Sequence, residues 1–163
     1  MIWQARAMDD GVVERVAIAA AHEELPAAVE RVRVVAGQGI VGDRNFAQGG
    51  AGSGEALTLI AAEALEGLRA DCEIALSHEE SRRNVLTRGI DLNALVGHRF
   101  TVGEVLCEGV ELCEPCDHLQ RLTRPGVIRG LVHRGGLRAD VLVGGTIAAG
   151  DAVRPADDSR TGG

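Results

Sequence analysis

The chain has 163 residues, about one domain by length, and 45% of them are hydrophobic, although Trp3, Phe46 and Phe100 are its only aromatic residues. All 17 basic residues are arginine, and 24 acidic residues outnumber them to give a net charge of -7. This balance, with no basic stripe and no aromatic stacking platform, argues against a nucleic-acid-binding surface.

Met1–Asp10 lacks a basic start followed by an apolar stretch, so no export signal is expected and the protein is placed in the cytoplasm. The longest uncharged apolar run, Val141–Gly150, falls far short of the ~20 residues that span a bilayer, so no membrane partner is expected. In a reducing compartment Cys72, Cys107, Cys113 and Cys116 are expected as thiols. Three of the four lie between positions 107 and 116, the most informative feature of the composition.

In chain order, Val12–Ala20 reads as a first strand, His22–Ala28 as a polar loop, and Val29–Val35 as a strand with one wet face. A glycine-punctuated segment, Gly37–Arg44, leads into Asn45–Glu55, expected as a mobile surface loop. Ala56–Ile60 is a short apolar strand. Ala61–Ala70 is a helix, with acids early and Arg69 late as the helix dipole prefers.

Arg82–Leu86 is extended, Gly89 marks a turn, and Ile90–Val96 is a helical turn. His98–Val102 and Glu104–Cys113 form a hairpin around Gly103. Cys116–Leu122 has helical spacing, while Val127–Val132 fits helix or strand. Leu137–Val143 and Thr146–Val153 are expected as strands joined in a hairpin across Gly144-Gly145. Asp157–Gly163 is a flexible polar tail. Many short strands and few short helices predict a single mostly-β domain, a barrel with helices at its rim and a core over about 12–153.

The sharpest chemical signal is Cys113-Glu114-Pro115-Cys116-Asp117-His118. A thiol acts as nucleophile or metal ligand only as thiolate, and a helix start lowers its pKa by presenting unpaired N–H groups. Cys116 follows a strand and a proline and opens a helical pattern, which is such a position. Asp117 opposes ionisation, and His118 and Arg121 favour it. Cys107 and Cys113 are read as buried strand residues. Two rival readings remain, a dithiol redox motif and a zinc site drawn from Cys107, Cys113, Cys116 and His118.

A second signal is basic. Arg44 in GDRN, Arg82, Arg83 and Asn84 in SRRN, and Arg88 offer planar donor forks for an oxyanion, unless Asp43, Glu79 and Glu80 neutralise them at the surface. His133-Arg134-Gly135-Gly136 adds backbone N–H groups and another arginine. His22, His78 and His98 are read as surface residues.

The order of GIVGDR (Gly39–Arg44), RRNVLTRGIDLNALVGHRFTVGEVL (Arg82–Leu106), CEPCDHL (Cys113–Leu119) and HRGGLRADVLVGGTIAAGDAV (His133–Val153) resembles the MOSC domain family. That family is named after the C-terminal domain of molybdenum cofactor sulfurase. The resemblance runs from about Val12 to Val153 and is to the stand-alone bacterial type. It implies a closed β-barrel and maps the family's hallmark cysteine onto Cys116, as a molybdenum ligand or a carrier or acceptor of sulfur. The cofactor's phosphate would be held by Arg44, Arg83 and Asn84, with Arg88, His118 and Arg134 as further candidates. Asn45 stands where the family often has histidine.

The function expected is therefore binding of molybdenum cofactor or a related anionic metabolite. A cysteine desulfurase or other sulfur-donor protein is a candidate partner, and pyridoxal phosphate is not expected. Whether the chain is an enzyme stays open. The alternatives are a metal-independent persulfide sulfurtransferase and a non-catalytic module with structural thiols or zinc.

Overall fold

Alternating and β-branched segments become strands throughout the residues that the computed structural model describes, which are 10–21, 23–113, 131 and 133–156. The first group is β1 (Gly11–Ile18), β2 (Ala27–Val29), β3 (Arg31–Val35), β4 (Gly39–Ile40), β5 (Leu57–Ala61) and β6 (Val85–Arg88). The second is β7 (Arg99–Val102), β8 (Val105–Leu112), β9 (Leu137–Val143), β10 (Gly145–Ala148) and β11 (Ala152–Pro155). Helices α1 (Ala62–Cys72) and α2 (His78–Ser81) and a 3-10 turn at Leu92–Leu95 complete the described elements.

Strands β11, β7, β8, β9, β5, β6 and β1 are hydrogen-bonded in that order. β1 returns to β11 through Gly11–Val153 and Val12–Ala152, so the sheet closes into a seven-stranded barrel and has no open edge around its ring. Within that ring only the β5–β6 pair is parallel. A parallel pair needs a crossover connection, and the chain from 62 to 84, carrying α1 and α2, provides it. Strands β10, β3 and β4 form a second, antiparallel sheet.

Both sheets bury one side in a shared core. Val32, Val34, Ile40 and Ile147 of the small sheet join Leu57, Leu59, Val85, Phe100, Val105, Leu137 and Val153 of the barrel. Each fully buried side chain of this size stabilises the fold by roughly 1.5–3 kcal/mol, so many aliphatic residues can do without aromatic ones. α1 follows from its helix formers and the early Glu63. It ends where Glu73 turns left-handed (φ 57°) and returns its N–H to Arg69 O. Leu68 then packs with Leu76 and Leu131 in a satellite cluster.

The expected barrel with rim helices is what forms, and the β7–β8 hairpin turns at Gly103 as predicted. Several expectations are corrected. Leu137–Val143 and Thr146–Val153 are not partners across Gly144-Gly145: β9 pairs with β8 and β5, and β10 pairs with β3. These glycines serve close approach instead. A Cβ on Gly144 would lie 2.5 Å from Val34 O, and one on Gly145 would lie 2.6 Å from Glu104 Cγ. The stretch 146–153 is also divided, its second part being the strand that closes the barrel.

Val29 belongs to β2, which pairs with β1, and the chain changes sheet at Glu30 before β3 begins. The Asn45–Glu55 loop is tied down rather than loose. Ala47 N–H donates to Gln38 O, Ala51 N–H to Gly37 O, and Gly54 N–H to Asp140 Oδ1. Finally, the extended segment begins at Val85, not Arg82. Residues 77–81 instead make a capping box, in which Ser77 Oγ accepts from Glu80 N–H and the Glu80 carboxylate accepts from Ser77 N–H.

Candidate functional site

The SRRN segment is the structural hinge of the site. Arg82 caps α2 in the left-handed region (φ 64°), which turns the chain so that Arg83 and Asn84 lead into β6 from a new direction. Arg83 Nε donates to Gly135 O at 2.9 Å and its Nη2 donates to Cys113 O at 3.2 Å. Cys113 N–H in turn donates to Gly136 O at 2.7 Å. One guanidinium thus clasps the two chain positions between which Cys116 lies in sequence. Gly136 fits the turn beside this clasp because its φ is +118° and a Cβ there would meet Leu59 O at 2.2 Å.

Arg44 approaches from the loop after β4. Its Nη2 donates to Arg82 O at 2.9 Å and its Nη1 meets Asp43 Oδ1 at 3.3 Å, with its side chain only 9% exposed. Asp43 is itself fixed, accepting Ala19 N–H and Asn45 N–H. The Arg82 guanidinium sits below its ordinary pKa, first because it is largely buried and next because Arg44 lies close. Asp43 and Glu23 partly offset this, and Arg83 adds to it. Arg44 and Arg83 thus both bring positive charge close to Arg82, with Asp43 and Glu23 as the nearby counter-charges. An anion placed there relieves the repulsion, so this donor set fits a phosphorylated cofactor in charge and in hydrogen-bonding type.

Asn84 is buried and points into the barrel wall. Its Oδ1 accepts from both Thr58 N–H and Thr58 Oγ1–H, and its Nδ2 donates to Ala17 O. It joins β1 and β5 just before β6 and so braces the site from behind. His78, expected at the surface, is 2% exposed. Its Nε2 is 2.9 Å from Arg83 O, and its Nδ1 is buried with no hydrogen-bond partner. Burial lowers its pKa, and the Arg83 carbonyl and Glu79 partly oppose that. The S-x-x-E capping box beginning at Ser77 is the sequence signal that would have placed His78 on a helix. His98 is exposed as expected, and His22 lies outside the described residues.

The remaining candidates are dispersed. Arg88 pairs with Glu14 and Glu66, and these bonds raise its pKa. Arg134 reaches Asp71 on α1 at 3.1 Å. Cys116, His118 and the helix expected at Cys116–Leu122 lie outside the described residues. Cys72, Cys107 and Cys113 are free thiols. Cys107 and Cys113 are buried as expected, and burial pushes the Cys107 thiol up to about 12, which keeps it neutral and inert. A register shift between Gly109 and Glu111 lies in β8 between Cys107 and the strand end that Cys113 follows. Among the described residues no group of three or more His, Cys, Asp or Glu gathers as a metal site.

A cleft of about 520 Å3 is lined by Gly136 together with, among others, Ala64, Ile90, Asp91, Asn93 and His133. Asn93 Nδ2 donates to His133 O, which fastens the 133–136 turn to the 3-10 turn. Gly136 therefore belongs both to the Arg83 clasp and to the wall of a space large enough for a small molecule. No described helix is long and apolar enough to cross a membrane.

A closed mixed barrel with an arginine rim at the R-R-N segment defines a class. The MOSC domain profile matches residues 47–154, and the chain belongs to the MOSC domain family. The match begins after the GIVGDR segment. In three dimensions the chain is similar to the YuaD protein from Bacillus subtilis, at 18% identity and TM-score 0.76, covering 90% of this chain and 95% of that one. It is also similar to YiiM from Escherichia coli (15%, TM-score 0.65, covering 90% and 70%) and to YiiM from Geobacillus stearothermophilus (14%, 0.69, covering 93% and 77%). At these identities the likeness is one of fold. No curated protein matches the sequence.

Proposed function

We propose that this MOSC protein binds molybdenum cofactor, or a related phosphorylated small molecule, at the Arg44–Arg82–Arg83 rim. Cys116 is its molybdenum ligand or sulfur acceptor, and the site works in the cytoplasm. The observation that carries the reading is the convergence of three arginines at the place where one of them bonds both Cys113 O and Gly135 O. The cofactor, when bound, would supply a metal that accepts a soft thiolate together with an anionic phosphate. The chain's own part is to hold that anion with Arg44, Arg82 and Arg83, while Asn84 keeps the RRN backbone in place.

The zinc alternative loses one of its ligands, because Cys107 lies in the aliphatic core with its thiol raised to about 12. The test is purification from cofactor-producing cells followed by assay of bound molybdenum and pterin. Both are expected in stoichiometric amounts with the native chain, and both are expected to be lost in Cys116→Ala and Arg82→Ala. Native protein carrying neither overturns the reading. A persulfide found on Cys116 by mass spectrometry in such metal-free protein would replace it with sulfur carriage.

A further inference from the structure

We propose that His78 is a positioning residue, a buried prop that holds the Arg83 backbone so that the Arg83 side chain can bond Cys113 and Gly135 together. The inference rests on the proposed function only for the purpose of the clasp, since the clasp itself is a matter of geometry. His78 Nε2–H donates to Arg83 O at 2.9 Å, and the same residue's guanidinium reaches Gly135 O and Cys113 O at 2.9 and 3.2 Å. Ser81 Oγ assists by accepting Arg83 N–H at 3.3 Å. Both ends of the Arg83 backbone are therefore set by α2, a helix of four residues.

An imidazole is an expensive choice for this place unless its one bond matters. The ring is 2% exposed, and Nδ1 has no partner, so the ring carries an unsatisfied polar atom in the interior. A buried acceptor without a donor costs free energy, and an apolar residue of similar volume would avoid that penalty. A purely space-filling role would therefore favour leucine. With Nε2 as the donor, the ring must be the neutral Nε2–H tautomer, and Nδ1 is a bare acceptor. Protonation would add an N–H at Nδ1; burial disfavours the charged ring, and the backbone of Arg83 and Asn84 partly opposes that. The charges that face the ring are Glu79 on its own helix and Arg15 on β1, of opposite sign. Neither bonds Nδ1, and Glu79 is itself paired with Arg15.

The experiment is amide hydrogen exchange by NMR on the full chain, reading the Cys113 N–H that donates to Gly136 O. Amides of β7 and β8 serve as the reference for global opening. In His78→Leu the Cys113 amide should exchange about fivefold faster relative to the reference, as expected for loss of one hydrogen bond of ordinary strength. Arg83→Ala should produce at least that effect, and the double variant should be no faster than Arg83→Ala alone. His78→Gln, which offers an N–H near the Nε2 position, should recover most of the native protection.

Unchanged exchange in His78→Leu, or effects of His78→Leu and Arg83→Ala that simply multiply, would overturn the proposal. If His78→Leu does not fold, native protein decides. Its Cys113 protection, corrected for intrinsic rates, should fall as pH drops from 7.5 to 5, and constancy over that range would count against the prop. None of these readings involves a cofactor. Loss of cofactor binding with an intact clasp would therefore fault the proposed function alone.

Discussion

The barrel interior and the rim around Arg83 are built on opposite principles. Inside, Leu57, Leu59, Phe100, Val105, Leu137 and Val153 are buried without a polar atom among their side chains. At the rim, Asp43, Arg44, His78, Arg83 and Asn84 are half to fully buried, and nearly every bond described there joins a side chain to a backbone group. The interior tolerates any set of aliphatic residues of the right volume, since its stabilisation scales with area. The rim depends on particular donors and acceptors, because a buried polar group that loses its partner costs more than the bond contributed. A molecule made this way can change its core and keep its site, but it cannot exchange single rim residues.

The largest test of that contrast removes mass from the interior. Phe100→Ala should destabilise the protein by about 3–5 kcal/mol in denaturant unfolding while leaving the order of rim bonds intact in those molecules still folded. Phe100→Leu should cost much less, because the interior asks only for volume. At the rim, Asn84→Leu preserves volume but strands Thr58 N–H and Ala17 O, and a loss of about 2–3 kcal/mol is expected. If Asn84→Leu proved harmless in the same unfolding assay, the rim would behave like the core and the contrast would fail.

A smaller effect is expected from acid. Burial lowers the folded pKa of His78 below the 6.5 of an unhindered histidine, so the unfolded chain binds the proton more readily. The His78 contribution to stability is therefore complete above pH 6.5 and is lost as pH falls below it towards the folded value. Melting temperature followed from pH 7.5 to 5 should drop more steeply for the native chain than for His78→Leu, and parallel curves would remove the linkage. The smallest effect belongs to Arg88→Gln. Its partners Glu14 and Glu66 are solvent-accessible, so thermal melting in physiological salt should shift very little.

Which parts of this were legible in the sequence follows the same division. The β7–β8 hairpin was readable because Val-Leu-Cys-Glu alternates beside a lone Gly103, a local pattern with a local cause. The same reasoning misread Gly144-Gly145. Those glycines answer to Val34 O and Glu104 from other parts of the chain, and no local pattern carries that demand. Arg44 and Arg83 were identified as basic groups of interest, but not as residues whose forks grasp backbone carbonyls. His78 was missed because a lone histidine ahead of two acids resembles a surface residue until β1 packs over it.

Composition, charge, the mostly-β class and the family resemblance were settled by residue order alone, since alternation, turn chemistry and motif spacing act over a few neighbours. Barrel closure by β11 on β1, the change of sheet at Glu30, and the meeting of Arg44, Arg82 and Arg83 were decided only in three dimensions. The physical reason is that these are contacts between segments tens of residues apart. There, hydrogen-bond satisfaction and close packing choose among arrangements that local preference leaves equally open.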